Sequence, residues 1–219
     1  MNIQAIAHIK TDFSTKFGIP RQSGLTESLE STIIFEPDYR IPEALRGIEG
    51  FSHLWLIWGF SSNINKEWSP TVRPPRLGGD ARVGVFATRS SFRPNGLGLS
   101  CVRLLRVEDS AEGKTLLVSG ADLMDGTPIY DIKPYLPYAD SIPDATSGFI
   151  SRHDWPKLEV IDPQGALSVI PTSKQAGLIE VLSQDPRPAY QDDPERVYGF
   201  NFDRFDVRFQ VKDGVLYIT

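Results

Sequence analysis

Leu99-Ser-Cys-Val-Arg-Leu-Leu-Arg-Val107, then Glu112-Gly113, then Thr115-Leu-Leu-Val-Ser-Gly120, then Asp125-Gly126, then Pro128-Ile-Tyr-Asp-Ile-Lys133: this run decides the fold. Segments of strand length, rich in branched side chains, are separated by glycine-containing turn pairs. Upstream, Ile3 to Ile9, Ser31 to Phe35, Phe51 to Phe60 and Val83 to Thr88 read as further strands. Pro42 to Arg46 reads as a helical turn ended near Gly47. Short strands with turns between them, and no long amphipathic helix among them, predict a mainly β fold whose N-terminal part is a β-barrel. A doubly wound sheet would need crossover helices that are missing.

The character of the chain changes near residue 145. Pro134 to Pro143 is proline-spaced and reads as extended, and Ser147 to Pro163 reads as a crossing segment. Thr172 to Gln184 is the best helix, with Ala176, Ile179 and Leu182 expected on its apolar face and Pro186 as its stop. Two strands follow, Asp206 to Val211 and Val215 to Ile218, joined by the hairpin signal Asp213-Gly214. The expected division is therefore a β-barrel over 1–145 and a small α+β domain over 146–219.

Composition narrows the class. Hydrophobic residues make up 40% of 219 positions and charged residues 23%, values that suit a packed globular core. No apolar run approaches the ~18 residues of a membrane span, and Met1 to Lys10 does not read as a secretory signal. A cytoplasmic location is expected. Cys101 stands alone and forms neither an internal disulfide nor a zinc site. Net charge is −5, which by itself argues against a nucleic-acid partner. Its distribution argues otherwise. Arg73, Arg76, Arg82, Arg89 and Arg93 face the single acid Asp80 between positions 73 and 93. That window carries +4 and the remainder −9. Guanidinium groups suit phosphate and carboxylate recognition.

The common catalytic motifs are missing. Gly96 and Gly98 open a Gly-x-Gly pattern, but Cys101 stands where a third glycine belongs. There is no phosphate-binding P-loop, no His-Glu-x-x-His and no Gly-x-Ser-x-Gly, and His8, His53 and His153 are scattered. No metal site is expected. What remains is three loop segments that join glycine or proline with charge, a pattern by which rigid scaffolds present polar groups.

These segments carry a resemblance. Pro20-Arg-Gln22, Gly50-Phe-Ser-His-Leu-Trp55, Arg73-Pro-Pro-Arg-Leu-Gly-Gly79, Phe86-Ala-Thr-Arg-Ser90 and Arg93-Pro-Asn95 resemble the TsaA-like family, also called YaeB or TrmO. So do Asp122-Leu-Met-Asp-Gly-Thr-Pro128, Asp131-Ile-Lys-Pro-Tyr135 and Asp185-Pro-Arg-Pro-Ala-Tyr190. The departures are mild: Gly96 stands where isoleucine or proline is common, and Met124 where valine is usual. The family methylates N6-threonylcarbamoyladenosine next to the tRNA anticodon. The resemblance implies a homodimer, and a β-barrel that binds S-adenosylmethionine through Pro20, Arg21, Gln22, His53, Leu54, Arg89, Leu99, Asp122, Leu123, Met124 and Asp125.

The chemistry of these residue types fits that implication. Methyl transfer from a sulfonium is an in-line displacement that depends mainly on alignment, for which ordering contributes ~7–11 kcal/mol. Arg89 can pair with a carboxylate tail, Asp122 or Asp125 can accept from an ammonium or hydroxyls, and backbone at Leu54, Leu99 and Leu123 can read an adenine edge. His53 is equally readable as a packed core residue. Asp131 and Lys133 are the candidates by type for moving the acceptor's proton, with an ion pair as the plain alternative. Arg73, Arg76 and Arg93 are candidates for tRNA phosphates or the threonyl carboxylate. Arg187 and Tyr190, expected to face outward, are candidates for the anticodon loop. A cofactor-binding module without turnover and an RNA-binding barrel without cofactor stay open at this level.

Overall fold

The computed structural model describes residues 2–61, 67–74, 81–152, 156–188, 191 and 193–219. The strands in chain order are β1 (Ala7–Lys10), β2 (Glu30–Phe35), β3 (His53–Gly59), β4 (Thr71–Val72), β5 (Val83–Gly84), β6 (Leu97–Ser110), β7 (Gly113–Ser119) and β8 (Pro128–Pro134). A helical turn α1 (Pro137–Asp140) follows, then β9 (Glu159–Ile161), helix α2 (Thr172–Ser183), β10 (Tyr198–Phe202), β11 (Phe205–Lys212) and β12 (Val215–Ile218).

Six strands close into a ring in the order β1-β2-β7-β6-β3-β8, each neighbour pair antiparallel. Closure follows from the strand alternation. Leu54, Leu56 and Trp58 of β3, Val102 and Leu104 of β6, and Ile33 and Phe35 of β2 all point inward and are buried. Full pairing leaves these strands no open edge. At the far end β6 and β7 meet in a tight turn at Ala111-Glu112, with Gly113 directly after it at φ 92°.

The second unit is a sheet in the order β10-β11-β12-β9. Asp213 and Gly214 have φ of 52° and 77°, the two positive values that a tight β-hairpin turn requires, and Lys212 pairs with Val215 as the sequence predicts. The sequence pattern has no strand at β4, where the prolines and glycines of Ser69 to Gly79 read as irregular, nor at β9 or β10. β9 has three residues and pairs in parallel with β12, so its partner lies more than 50 positions away.

Three expectations are corrected. Val83 to Thr88 is strand only to Gly84 and then turns as a short 3₁₀ segment, Val85–Ala87. Pro134 to Pro143 is not wholly extended, because Pro137 starts the turn α1. Helix α2 buries Gly177, Leu178, Val181 and Leu182, while Ala176 and Ile179, expected on its apolar face, are exposed. Sequence pattern underrates this face because Gly177, with no side chain to count, marks the closest approach. A Cβ there would lie 2.3 Å from the Leu29 side chain.

That contact shows how the units join. The core of the second unit takes Phe13 and Leu29 from the β1–β2 loop. Phe13 stacks edge-on against Phe202, and Phe17 against Phe200. Lys174 bonds Asp12 at 2.6 Å and Asp203 at 2.9 Å.

Candidate functional site

The β1–β2 loop has two sides. One side packs on the second unit, and the other, with Lys16, Ile19 and Pro20, lines a cleft of about 320 Å³ at one end of the ring. The opposite wall comes from the end of β3, Trp58, Gly59 and Phe60, and the floor from Asp122, Met124 and Thr127. Arg89 and Ser91, from the loop after β5, complete the rim. Volume and lining suit a small-molecule site, which is mostly apolar with a few placed polar groups.

Two charges organise it. Arg89 donates to Gln22 Oε1, and Gln22 Nε2 donates to the Arg21 carbonyl at 2.5 Å. The guanidinium is therefore tethered to the β1–β2 loop while remaining exposed. Asp122 is half-buried. Its carboxylate accepts from Ser100 Oγ at 2.5 Å, and that hydroxyl accepts from Trp58 Nε1 at 2.9 Å. Burial pushes the Asp122 pKa up. The Ser100 hydroxyl, the backbone amides of Asp122 and Ser23, and the charge of Arg89 pull the other way, and burial prevails.

Of the residues named from sequence, Pro20, Arg89, Asp122 and Met124 line the cleft. Gln22 reaches it through Arg89. Leu123 is buried in the ring core beside them. Arg21 turns away: its guanidinium donates to the carbonyl of Asp185 and, at 3.3 Å, to that of Arg187. Burial lowers the Arg21 pKa, and the charge of Asp185 opposes that shift. Asp125 is exposed and caps the end of β1, accepting from the Thr11 amide at 2.9 Å.

A second group lies elsewhere. His53 is at the other end of β3 from Gly59, six residues or about 20 Å away at ~3.3 Å per residue. It contacts Ser52 and the Tyr135 ring, so neither the core nor the cleft holds it. Leu99 is 55% exposed on the outer face of β6 and pairs with Ile57. Leu54, adjacent to His53, is fully buried in the ring. Asp131 and Lys133 lie on the same outer face, opposite Ile57 and Trp55. They form the ion pair given as their plain reading, at 2.9 Å.

The arginines divide too. Arg73 is exposed, and Arg82 is exposed and donates to Thr71 Oγ1. Arg93 instead donates to the carbonyls of Thr88 and Val85 at 2.6 and 3.4 Å, and so shapes the loop that presents Arg89. The outward display expected of Arg187 is not found. Its side chain is 12% exposed and holds Asp185 by two bonds of 2.8 and 2.9 Å. The reason is local: Asp185 ends α2 in the left-handed region at φ 51°, within reach of the residue two positions on. Arg76 and Tyr190 lie outside the described residues.

Sequence reasoning missed Lys16, Trp58, Phe60 and Thr127. Only Trp58-Gly59-Phe60 carried a signal, as the place where a buried aromatic strand runs out at a glycine. Among the described residues, no cluster of three metal-ligating side chains occurs, and no helix is long and apolar enough to cross a membrane.

Residues 8–141 match the family model for the tRNA-methyltransferase O N-terminal domain, and residues 169–219 match the TrmO C-terminal domain. A tRNA (adenine(37)-N6)-methyltransferase from Escherichia coli K12 is 42% identical over 220 residues, covering 96% of this chain and 93% of the relative. A Pseudomonas aeruginosa protein provisionally named S-adenosylmethionine-dependent methyltransferase RcsF is also 42% identical, covering 95% of this chain and 91% of its own length. A crystal structure of TrmO from Pseudomonas aeruginosa superposes with a TM-score of 0.80 at 32% identity, covering all of this chain and 96% of that one.

Proposed function

This chain belongs to the tRNA-methyltransferase O family, and we propose that it transfers a methyl group from S-adenosylmethionine to N6 of adenosine 37 in tRNA. The observation that carries the reading is the cleft. An exposed guanidinium, Arg89, and a half-buried carboxylate, Asp122, share a space walled by Trp58, Phe60 and Met124.

The donor set fits the cofactor. Arg89 suits its carboxylate tail, and Asp122 suits a cationic group beside the apolar wall. When bound, S-adenosylmethionine supplies an electrophilic methyl group on a sulfonium. The protein's own work is to orient and to exclude water. Arg93 shapes the Arg89 loop, Gln22 fixes the guanidinium, and the aromatic wall lowers the local dielectric so that the Asp122 charge acts at full strength.

The finer reading assigns residues 1–145 to the cofactor and 146–219, with Tyr190, to the tRNA side. The acceptor is N6-threonylcarbamoyladenosine, and Arg73, Arg76 and Arg93 belong to the tRNA-binding set. His53, Leu99, Asp131 and Lys133 lie away from the cleft of their own chain, on the outer ring face beside the half-exposed Trp55 and Ile57. A homodimer packed through that face would bring them to the partner's cleft, where Asp131 would take the acceptor proton. Sedimentation tests the dimer, and a monomer active at all concentrations removes it. Transfer of radiolabelled methyl from S-adenosylmethionine to bulk tRNA, with nucleoside mass spectrometry, tests the reaction. No labelled N6-methyl product would reject it.

A further inference from the structure

Ser100 lies in the middle of β6, and its hydroxyl is held from two sides. It is 1% exposed and points into the ring, where its neighbours on β6 are apolar. It has one proton and two partners. An indole nitrogen only donates, so Ser100 must accept from Trp58 Nε1, and toward the ionised Asp122, which can only accept, it gives its own proton. The direction of the chain is thereby fixed, from the cleft wall through the interior to the cleft floor.

Trp58 is itself locked. Its ring lies against Gly98, where a Cβ would come within 2.3 Å of the indole, and Phe60 packs edge-on at 4.5 Å. An indole so wedged cannot rotate to another acceptor, and a buried N–H without one costs ~1–3 kcal/mol.

We infer that Trp58 and Ser100 form a directional relay that fixes the Asp122 carboxylate at the cleft, making Ser100 a positioning residue for cofactor binding. This rests on the reading of the cleft as the S-adenosylmethionine site. The relay delivers a hydrogen bond that only the ionised carboxylate fully uses, and it offsets part of the burial that disfavours that charge. The other charged groups facing Asp122 across the cleft are Arg89 and Lys16, and Arg89 also favours ionisation.

Two measurements test it, one of them without any ligand. In the free protein, the Trp58 indole proton resonance should shift with pH at the midpoint of Asp122. The shift should disappear in Asp122→Asn and in Ser100→Ala. In calorimetry, Ser100→Ala should weaken S-adenosylmethionine about tenfold, the scale of one hydrogen bond to a charged group. Its affinity should also fall on acidification from a higher pH than in the unaltered protein, because the carboxylate has lost a donor. Trp58→Phe, which keeps a ring and removes the N–H, should move the profile in the same direction by less. In the Asp122→Asn background, Ser100→Ala should add nothing. An indole resonance insensitive to Asp122, or a Ser100→Ala profile merely displaced in parallel, would overturn the relay. An unaltered protein that gives no heat with S-adenosylmethionine overturns the cofactor reading instead, and the indole titration then still decides the relay.

Discussion

The ring and the C-terminal unit are both built on β-sheet, but they fill their interiors differently. The ring is filled largely by aliphatic side chains, Ile9, Ile33, Leu54, Leu56, Leu116 and Ile129 among them, all supplied by its own strands or the loops between them. The C-terminal sheet has one face to cover and one helix to cover it. It relies on aromatics, Tyr198, Phe200, Phe202 and Phe209, and borrows Phe13 and Leu29 from the β1–β2 loop. A small open sheet cannot bury enough area by itself, whereas a closed ring can. The loop that completes the smaller core also lines the cleft. Cleft geometry is thus tied to the core packed against the other side of that loop.

The largest effect should break this dependence outright. Phe200→Ala removes the ring against which Phe17 packs, and should cost about 3–5 kcal/mol by chemical denaturation. It should also weaken S-adenosylmethionine, although Phe200 is not in the cleft. Leu56→Ala, in the ring core, should be destabilising by about 2–5 kcal/mol, with less effect on affinity per kcal/mol lost. Equal ratios would show that the loop does not transmit.

Next in size is Gly18, at φ 92° with the Phe200 ring 2.3 Å from a would-be Cβ. Gly18→Ala meets both a left-handed backbone and a packed aromatic. It should cost at least the ~1–3 kcal/mol of the backbone strain alone, measured by thermal unfolding.

The arginines sharpen the contrast. Arg89→Ala should raise the cofactor Kd by the equivalent of ~1.5–3 kcal/mol and leave the melting temperature unchanged. Arg21→Ala should do the reverse first, lowering the melting temperature because the Asp185 and Arg187 carbonyls lose their donor. Arg187→Ala should resemble Arg21→Ala. If it instead raises only the KM for tRNA, its role is contact with RNA.

The smallest effect is electrostatic. Burial tends to lower the Lys174 pKa, but its bonds to Asp12 and Asp203 prevail and raise it, while the bond from Lys174 lowers that of Asp203. The pairing therefore stabilises at neutral pH. Its contribution fades as pH falls through the depressed pKa of Asp203, below the usual ~3.9, and as pH rises through the raised pKa of Lys174, above ~10.4. Lys174→Met should cost about 0.2–1 kcal/mol at pH 7, since the group is partly exposed, and the difference should vanish in acid.

Local pattern by itself determined much of this protein. Strand-length runs of branched residues with turns between them predicted β2, β3, β6 and β7, Asp213-Gly214 predicted the hairpin, and pattern singled out the loops bearing Pro20, Arg89 and Asp122, which meet at one cleft. These are short-range properties, set by backbone conformation and by which side chains share a face. The tertiary structure alone decided the rest. It closed the ring, paired β9 with β12, and turned Arg21 toward the backbone of Asp185 and Arg187. It also placed His53 about 20 Å from the cleft and joined Trp58 to Asp122 through Ser100. Each of these depends on a partner dozens of residues distant. A serine in a strand or an arginine in a loop has the same local signature whether its partner is water, a carbonyl or a carboxylate, and only the packed chain chooses among them.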